Sequence, residues 1–246
     1  MFNLKLMPLT LLIALLLINT PIFAQSDAKE IITRAMDAHG GKEALNKAQQ
    51  YKRTSTGTIF FGQTQTFTDE LLVAFPNRIK LSIKLESKEN ILMGLEGDMG
   101  WSIASGVPVD LSKEKVNELK EESFFLQTTN LTKLLEPTTK LTILEESKVA
   151  GKVMLGVKAT LAGGPEVSLY FDKETYMLAK AERKSKQAGA DILKSVVYME
   201  YQSFGAVKFA SKETHLLGGN KFVENKNIAY TVLEKVEASM FQKPGK

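Results

Sequence analysis

The sequence predicts an α+β fold: a strongly curved antiparallel sheet, a half-barrel of about 11 strands, with helices covering its concave side. Three observations lead there. Apolar residues at helical spacing occur in only two blocks, one near the start and one mid-chain. Period-two alternation of apolar and polar residues fills most of the remainder. Short turn-forming stretches separate the alternating segments, which makes successive strands antiparallel neighbours.

Composition agrees with a single sizeable core. The chain has 246 residues, 43% hydrophobic and 24% charged, as in ordinary globular proteins. Its net charge of +4 comes from charges of both signs. The densest basic stretch, Lys180, Arg183, Lys184 and Lys186, is interrupted by Glu182, so no nucleic-acid partner is expected. There is no cysteine, which excludes disulfides, cysteinyl metal sites and a lipidated N-terminal cysteine.

The first residues read as an export signal rather than as fold. Lys5 precedes an apolar run from Leu9 to Ile18, then Pro21 and "IFA" before Gln25. The run is too short for a comfortable membrane span. Residues 1–24 are therefore expected to be a signal peptide cleaved near Ala24, and residues 25–246 a single domain outside the cytoplasm. A retained N-terminal anchor is the alternative.

"SDAKEIITRAMDAHGG" then predicts a helix capped by Ser26 or Asp27, with Ile31, Ile32, Ala35, Met36 and Ala38 on one side. Gly40 supplies a residue free to end it. His39, in the last turn, would favour the helix dipole when charged. "KEALNKAQQ" reads as a second, short helix. From Tyr51 the period changes. "TQTFTDELLVAF", "RIKLSIKLE", "ENILMGLEG" and "MGWSIASG" read as strands joined by "FPNR" and "GD" turns. "DLSKEKVNELKEES", capped by Asp110 or Ser112, and "TTNLTKLLEP", stopped before Pro137, form the helical interlude. "KLTILEES", "KVMLGVKATL", "EVSLYFD", "YMLAKAERKS", "LKSVVYMEYQSF", "VKFASKETHLL" and "KFVENKNIAYTVLEKVEA" complete a meander.

No catalytic constellation is visible. There is no G-x-S-x-G elbow and no H-E-x-x-H pair. The two histidines, His39 and His215, lie far apart, so neither a metal site nor a cofactor is expected. The glycines of "GLEGDMG" suit a hairpin turn rather than a phosphate loop. Glu121–Glu122 and Glu145–Glu146 read as solvated charges, and "NLT" at 130–132 as an accidental glycosylation sequon inside a helix. The concave face should carry Phe67, Leu81, Ile83, Leu85, Met93, Trp101, Leu155, Tyr170 and Tyr198. These residues suit either a packed core or the lining of an apolar ligand cavity.

Several phrases carry a family likeness: "AHGGKEALNKAQQY", "VAFPNRIKLSIKL", "GDMGWSI", "LSKEKVNELKEE", "LYFDKETYMLAKAERK" and "YMEYQSFGAVKFASKETHLLGG". Together they resemble the outer-membrane lipoprotein-sorting (LolA/LolB-like) superfamily of periplasmic proteins, over most of the chain after the signal. The resemblance implies a half-barrel closed by helices that holds lipid or lipoprotein acyl chains in an apolar cavity, without enzymatic activity. It also implies a buried arginine tying the lid helices to the barrel, for which Arg53 is the nearest in placement and Arg78 a weaker choice. Two other readings stay open: an envelope protein-interaction module with a filled core, and a hydrolase with a fold-assembled site based on His39 or His215.

Overall fold

A computed structural model describes residues 22–104, 106–187 and 190–244. Residues 1–21, which hold nearly all of the expected export signal, lie outside them. Two helices come first, α1 (Ile22–Ala38) and α2 (Lys42–Lys47). A first meander follows: β1 (Gln50–Ile59), β2 (Gln65–Ala74), β3 (Arg78–Leu85), β4 (Asn90–Glu96), β5 (Met99–Ala104) and β6 (Val107–Asp110). Helix α3 (Lys113–Thr129) and a 3₁₀ turn at Thr132–Leu135 lead to a second meander. It comprises β7 (Lys140–Val149), β8 (Lys152–Thr160), β9 (Glu166–Asp172), β10 (Leu178–Gln187), β11 (Ala190–Phe204), β12 (Val207–Leu217) and β13 (Asn220–Val232).

The described strands form one 13-stranded sheet in the order β6-β5-β4-β3-β2-β1-β13-β12-β11-β10-β9-β8-β7. All pairs are antiparallel; β1 and β13 join the two meanders. The expectation of about 11 strands falls short partly because β6 has only four residues and carries Pro108, which argues against a strand.

The sheet curls. Strands β4 and β10 are seven places apart in the sheet order, roughly 34 Å across a flat sheet at about 4.8 Å per strand. Yet α3 touches both of them, and β5 and β9 as well. A helix of this length is about 25 Å long and roughly 10–12 Å across, so the sheet must wrap around it. Ser112 caps α3 by accepting a hydrogen bond from the Lys115 amide, 3.3 Å.

Alternation sorts the two faces. Leu71, Val73 and Ile79 pack with Val116 of α3 on the concave side. Their neighbours Leu72 and Ala74 pack on the convex side against Val236 and Phe241 of the C-terminal segment. Helix α1 lies on β7 and β8, where Ile32, Met36, Val157, Val167, Leu169 and Phe171 build the largest core, all at most 2% exposed.

Two local expectations change. Helix α1 already runs at Ile22, so Ser26 and Asp27 lie inside it and do not cap it. The sequon residue Asn130 is not in a helix interior but caps the end of α3, buried, with its amide donating to the Ala48 carbonyl.

Candidate functional site

The concave face is hollow on one side of α3. A cavity of about 430 Å³ lies between that helix and the wall built by β1–β4 and β11–β13, within the size range of small-molecule sites, roughly 300–1,000 Å³. Most of its wall is apolar: Phe67, Leu71, Ile79, Leu81, Ile83 and Met93 from the first meander, Leu119, Phe125 and Leu126 from α3, and Val196, Phe209 and Val223 from the second. Lining residues near the helices, Leu45, Asn130 and Leu178, are buried, whereas Ile59, Ile83, Phe222 and Val223 are only half-buried. The cavity therefore opens toward the loop between β1 and β2.

Phe67, Leu81, Ile83, Met93 and Tyr198, five of the residues expected on a concave lining, stand on this wall. The other four do not. Leu85 has the right parity, opposite Phe67, but ends its strand beyond the cavity. Leu155 also faces inward, opposite Phe171, on the half that α1 fills. Trp101 pairs with Gly94 and so faces the convex side, where its indole N–H donates to the Phe241 carbonyl at 2.6 Å. Tyr170 points outward too, with the Lys180 ammonium 5.7 Å from its ring centre. Pairing partners fix which parity of a strand faces inward, and for both aromatics it is the outward one.

One polar cluster interrupts the apolar wall. Arg53 on β1 is buried and donates to Asp69 on β2 at 2.7 Å and to Glu213 on β12 at 3.1 Å. Ser55 donates to the second oxygen of Asp69 at 2.5 Å. Nε2 of His215 lies 3.2 Å from Glu213 and 3.3 Å from the Asn225 amide nitrogen. Burial pushes the Glu213 carboxyl up, but the His215 hydrogen bond and the Arg53 charge outweigh it and hold the pKa at about 2. Burial opposes the Arg53 charge as well, and the carboxylates of Glu213 and Asp69 more than offset that.

These contacts correct the expectation for Arg53. Among the described residues its ion-pair partners, Asp69 and Glu213, lie on strands, so it braces the sheet across β2, β1 and β12 rather than tying down a helix. The arginine that does tie α3 down is Arg183 on β10. It donates to the Glu121 carbonyl at 2.7 Å and the Glu122 carboxylate at 2.5 Å, and its guanidinium lies 5.0 Å from the Phe125 ring centre. Glu121 and Glu122 are thus helix anchors rather than freely solvated charges; Ser185 also donates to Glu121. Arg183 sits at an inward position of β10, two residues from buried Ala181. That parity was the signal in the sequence, masked by the lysines around it. The weaker choice, Arg78, lies over the Phe241 ring on the convex face.

His39 touches the cavity from the opposite end. It is buried, its Nδ1 donates to the Ala35 carbonyl at 2.6 Å, and its ring meets Tyr201 edge-on. Burial lowers its pKa to about 4, so it is neutral near pH 7 and does not act as a charged partner for the helix dipole. The corner that follows is tight. The His39 carbonyl accepts from the Lys208 amide at 3.0 Å, and a Cβ on Gly40 would lie 2.1 Å from the Ala206 carbonyl oxygen. Among the described residues no group of three or more His, Asp and Glu side chains is arranged to hold a metal ion. No described helix is long and apolar enough to cross a membrane.

No protein-family model matches the sequence, and no curated protein does. Solved structures do. The chain is similar to a LolA superfamily protein from Nitrosomonas europaea, with 12% identity, 88% of this chain and 97% of that one covered, and a TM-score of 0.56. A domain from Vibrio parahaemolyticus described as outer membrane lipoprotein-sorting aligns at 13% identity, over 88% and 97% of the two chains, with a TM-score of 0.53. A DUF1329 family protein from Desulfovibrio piger aligns at 11% identity, over 87% and 97%, with a TM-score of 0.51. At such identities the likeness is one of fold: the chain has the LolA-like curved sheet.

Proposed function

We propose that this protein is a non-enzymatic carrier or binding protein that holds a lipid, or the acyl chain of a lipoprotein, beneath its curved sheet. One observation carries the reading: the side of the concave face under β1–β4 and β11–β13 is an apolar-walled cavity of about 430 Å³ rather than a filled core. Each methylene moved from water into such a space is worth roughly 0.8 kcal/mol, so even a partly enclosed chain binds usefully. The LolA-like fold is consistent with that use, as is a place of work outside the cytoplasm, which the N-terminal signal pattern supports.

Native mass spectrometry of the protein purified from a cell-envelope extract tests this. The expected result is a co-purified mass of one lipid or acyl chain, which disappears in an Ile83→Trp variant that fills the cavity. A wild-type protein that carries no lipid and takes up none from detergent-solubilised envelope lipids overturns the reading.

A second reading has its own observation. The sheet ends at β6, where Val107 and Val109 are 63% and 48% exposed. An open edge with apolar side chains suits pairing with a strand of an envelope protein partner, and β6 deletion abolishing a pull-down from envelope extract would support it.

A further inference from the structure

Beside scattered polar residues such as Glu118, Thr129 and Lys194, the cavity lining holds one polar cluster built across several strands. Four strands contribute to it: Arg53 from β1, Asp69 from β2, Glu213 and His215 from β12, and Asn225 from β13. Arg53 and Asn225 are each more than nine-tenths buried, at 8% and 3% exposure. Both also hold a polar atom without a hydrogen-bond partner in the protein, Nε of Arg53 and Oδ1 of Asn225. Buried polar groups are nearly always satisfied, because leaving one bare forfeits its hydration. These two residues flank the same carboxylate: Arg53 donates to Glu213, and Asn225 stands opposite Glu213 in the β12–β13 register.

We propose that this cluster is a subsite for a neutral polar group that both donates and accepts hydrogen bonds, the hydroxyl or amide of a single-chain amphiphile whose tail lies on the apolar wall. The assignment deepens the cavity reading above and rests on it. Charge decides the class. Two carboxylates, Asp69 and Glu213, already face the one guanidinium, so an anionic head meets repulsion where its partner is taken. A cationic head finds both carboxylates engaged by Arg53 and, having no acceptor, leaves the Arg53 Nε–H bare. A hydroxyl or amide meets neither, and it can accept from Arg53 Nε–H while donating to the Asn225 amide oxygen. Both residues line the cavity.

Displacement of the neutral dye N-phenyl-1-naphthylamine from the purified full chain tests the assignment, using decyl compounds that differ only at the head. Decan-1-ol and decanamide should displace it at concentrations about tenfold lower than methyl decanoate, which accepts but cannot donate, and than decanoate, which is anionic. Asn225→Leu should bring decan-1-ol level with methyl decanoate, each competitor's inhibition constant being corrected for that variant's own affinity for the dye. Decanoate or methyl decanoate matching decan-1-ol on the wild-type protein overturns the subsite, whatever the variant does. An Asn225→Leu variant that folds and keeps the discrimination overturns it as well. Dye binding without head-group discrimination leaves the cavity reading standing and removes only this one. Failure of the dye and all four decyl compounds to bind removes both.

Discussion

The two halves of the concave face are built from the same kind of strand and end in opposite states. Under β7–β10 the inward residues Val157, Val167, Leu169 and Phe171 are fully buried against α1. Under β2–β4 the inward residues Leu81, Ile83 and Met93 are half-buried and line a cavity. Composition does not separate them; both are Leu, Ile, Val, Met and Phe at every second position. The difference is the cover. Helix α1 lies on the edge strand β7 and its neighbour β8, while α3, tied to β10 by Arg183, packs on one end of β2–β4 through Val116 and leaves Leu81, Ile83 and Met93 lining a cavity. A half-barrel can therefore be a packed core on one side and a container on the other.

Truncation is the strongest way to break this contrast. Phe171→Ala, in the filled half, should cost about 3–5 kcal/mol in chemical denaturation, since it opens a hole in a close-packed core. Ile83→Ala, in the hollow half, should cost roughly 1 kcal/mol or less, because few of its contacts are complete. Equal losses would mean that the cavity collapses in solution. Arg53→Met comes next. It leaves Asp69 and Glu213 buried without their cation and should cost about 3–5 kcal/mol, although no helix contact is lost. A variant as stable as the wild type would show that the cluster is solvated.

Acid should act on the filled side through His39. Its pKa is about 4 in the fold and 6.5 in the unfolded chain, so between those values the unfolded chain binds more protons. The stability this residue contributes is complete above pH 6.5 and lost as pH falls toward 4, on the order of 3 kcal/mol. A pH series of denaturation curves should show that slope in the wild type and lack it in His39→Gln. The smallest expected effect concerns the roof. Arg183→Lys loses the forked contact with Glu121 and Glu122 and should cost roughly 1–2 kcal/mol, seen as faster hydrogen exchange in α3 with β7–β9 unchanged. Faster exchange across the whole sheet would mean that Arg183 supports the core and not the helix alone.

Much of the fold was legible in the sequence. Strands β9 and β12 lie where "EVSLYFD" and "VKFASKETHLL" place them, because alternation reports a half-buried strand directly. The site was legible in part. Phe67, Leu81, Ile83, Met93 and Tyr198 reach the cavity wall, whereas Trp101 and Tyr170 face outward. Both were expected inward, but pairing with Gly94 and packing beneath Lys180 set their direction. The exchange of roles between Arg53 and Arg183 has the same origin. Each is an inward arginine on a strand; which one meets a helix depends on where α3 crosses.

The sequence by itself determined most of the segments that are strands, that they pair antiparallel, and that one face of most of them is apolar. Those properties follow from periodicity and short turns, which are local. Only the tertiary structure decided that the Ala206 carbonyl closes on the corner at Gly40, too near for any side chain there, and that the face under β2–β4 is hollow. Whether an apolar surface is filled depends on what is brought against it from far along the chain, and the alternation of a strand is the same in either case.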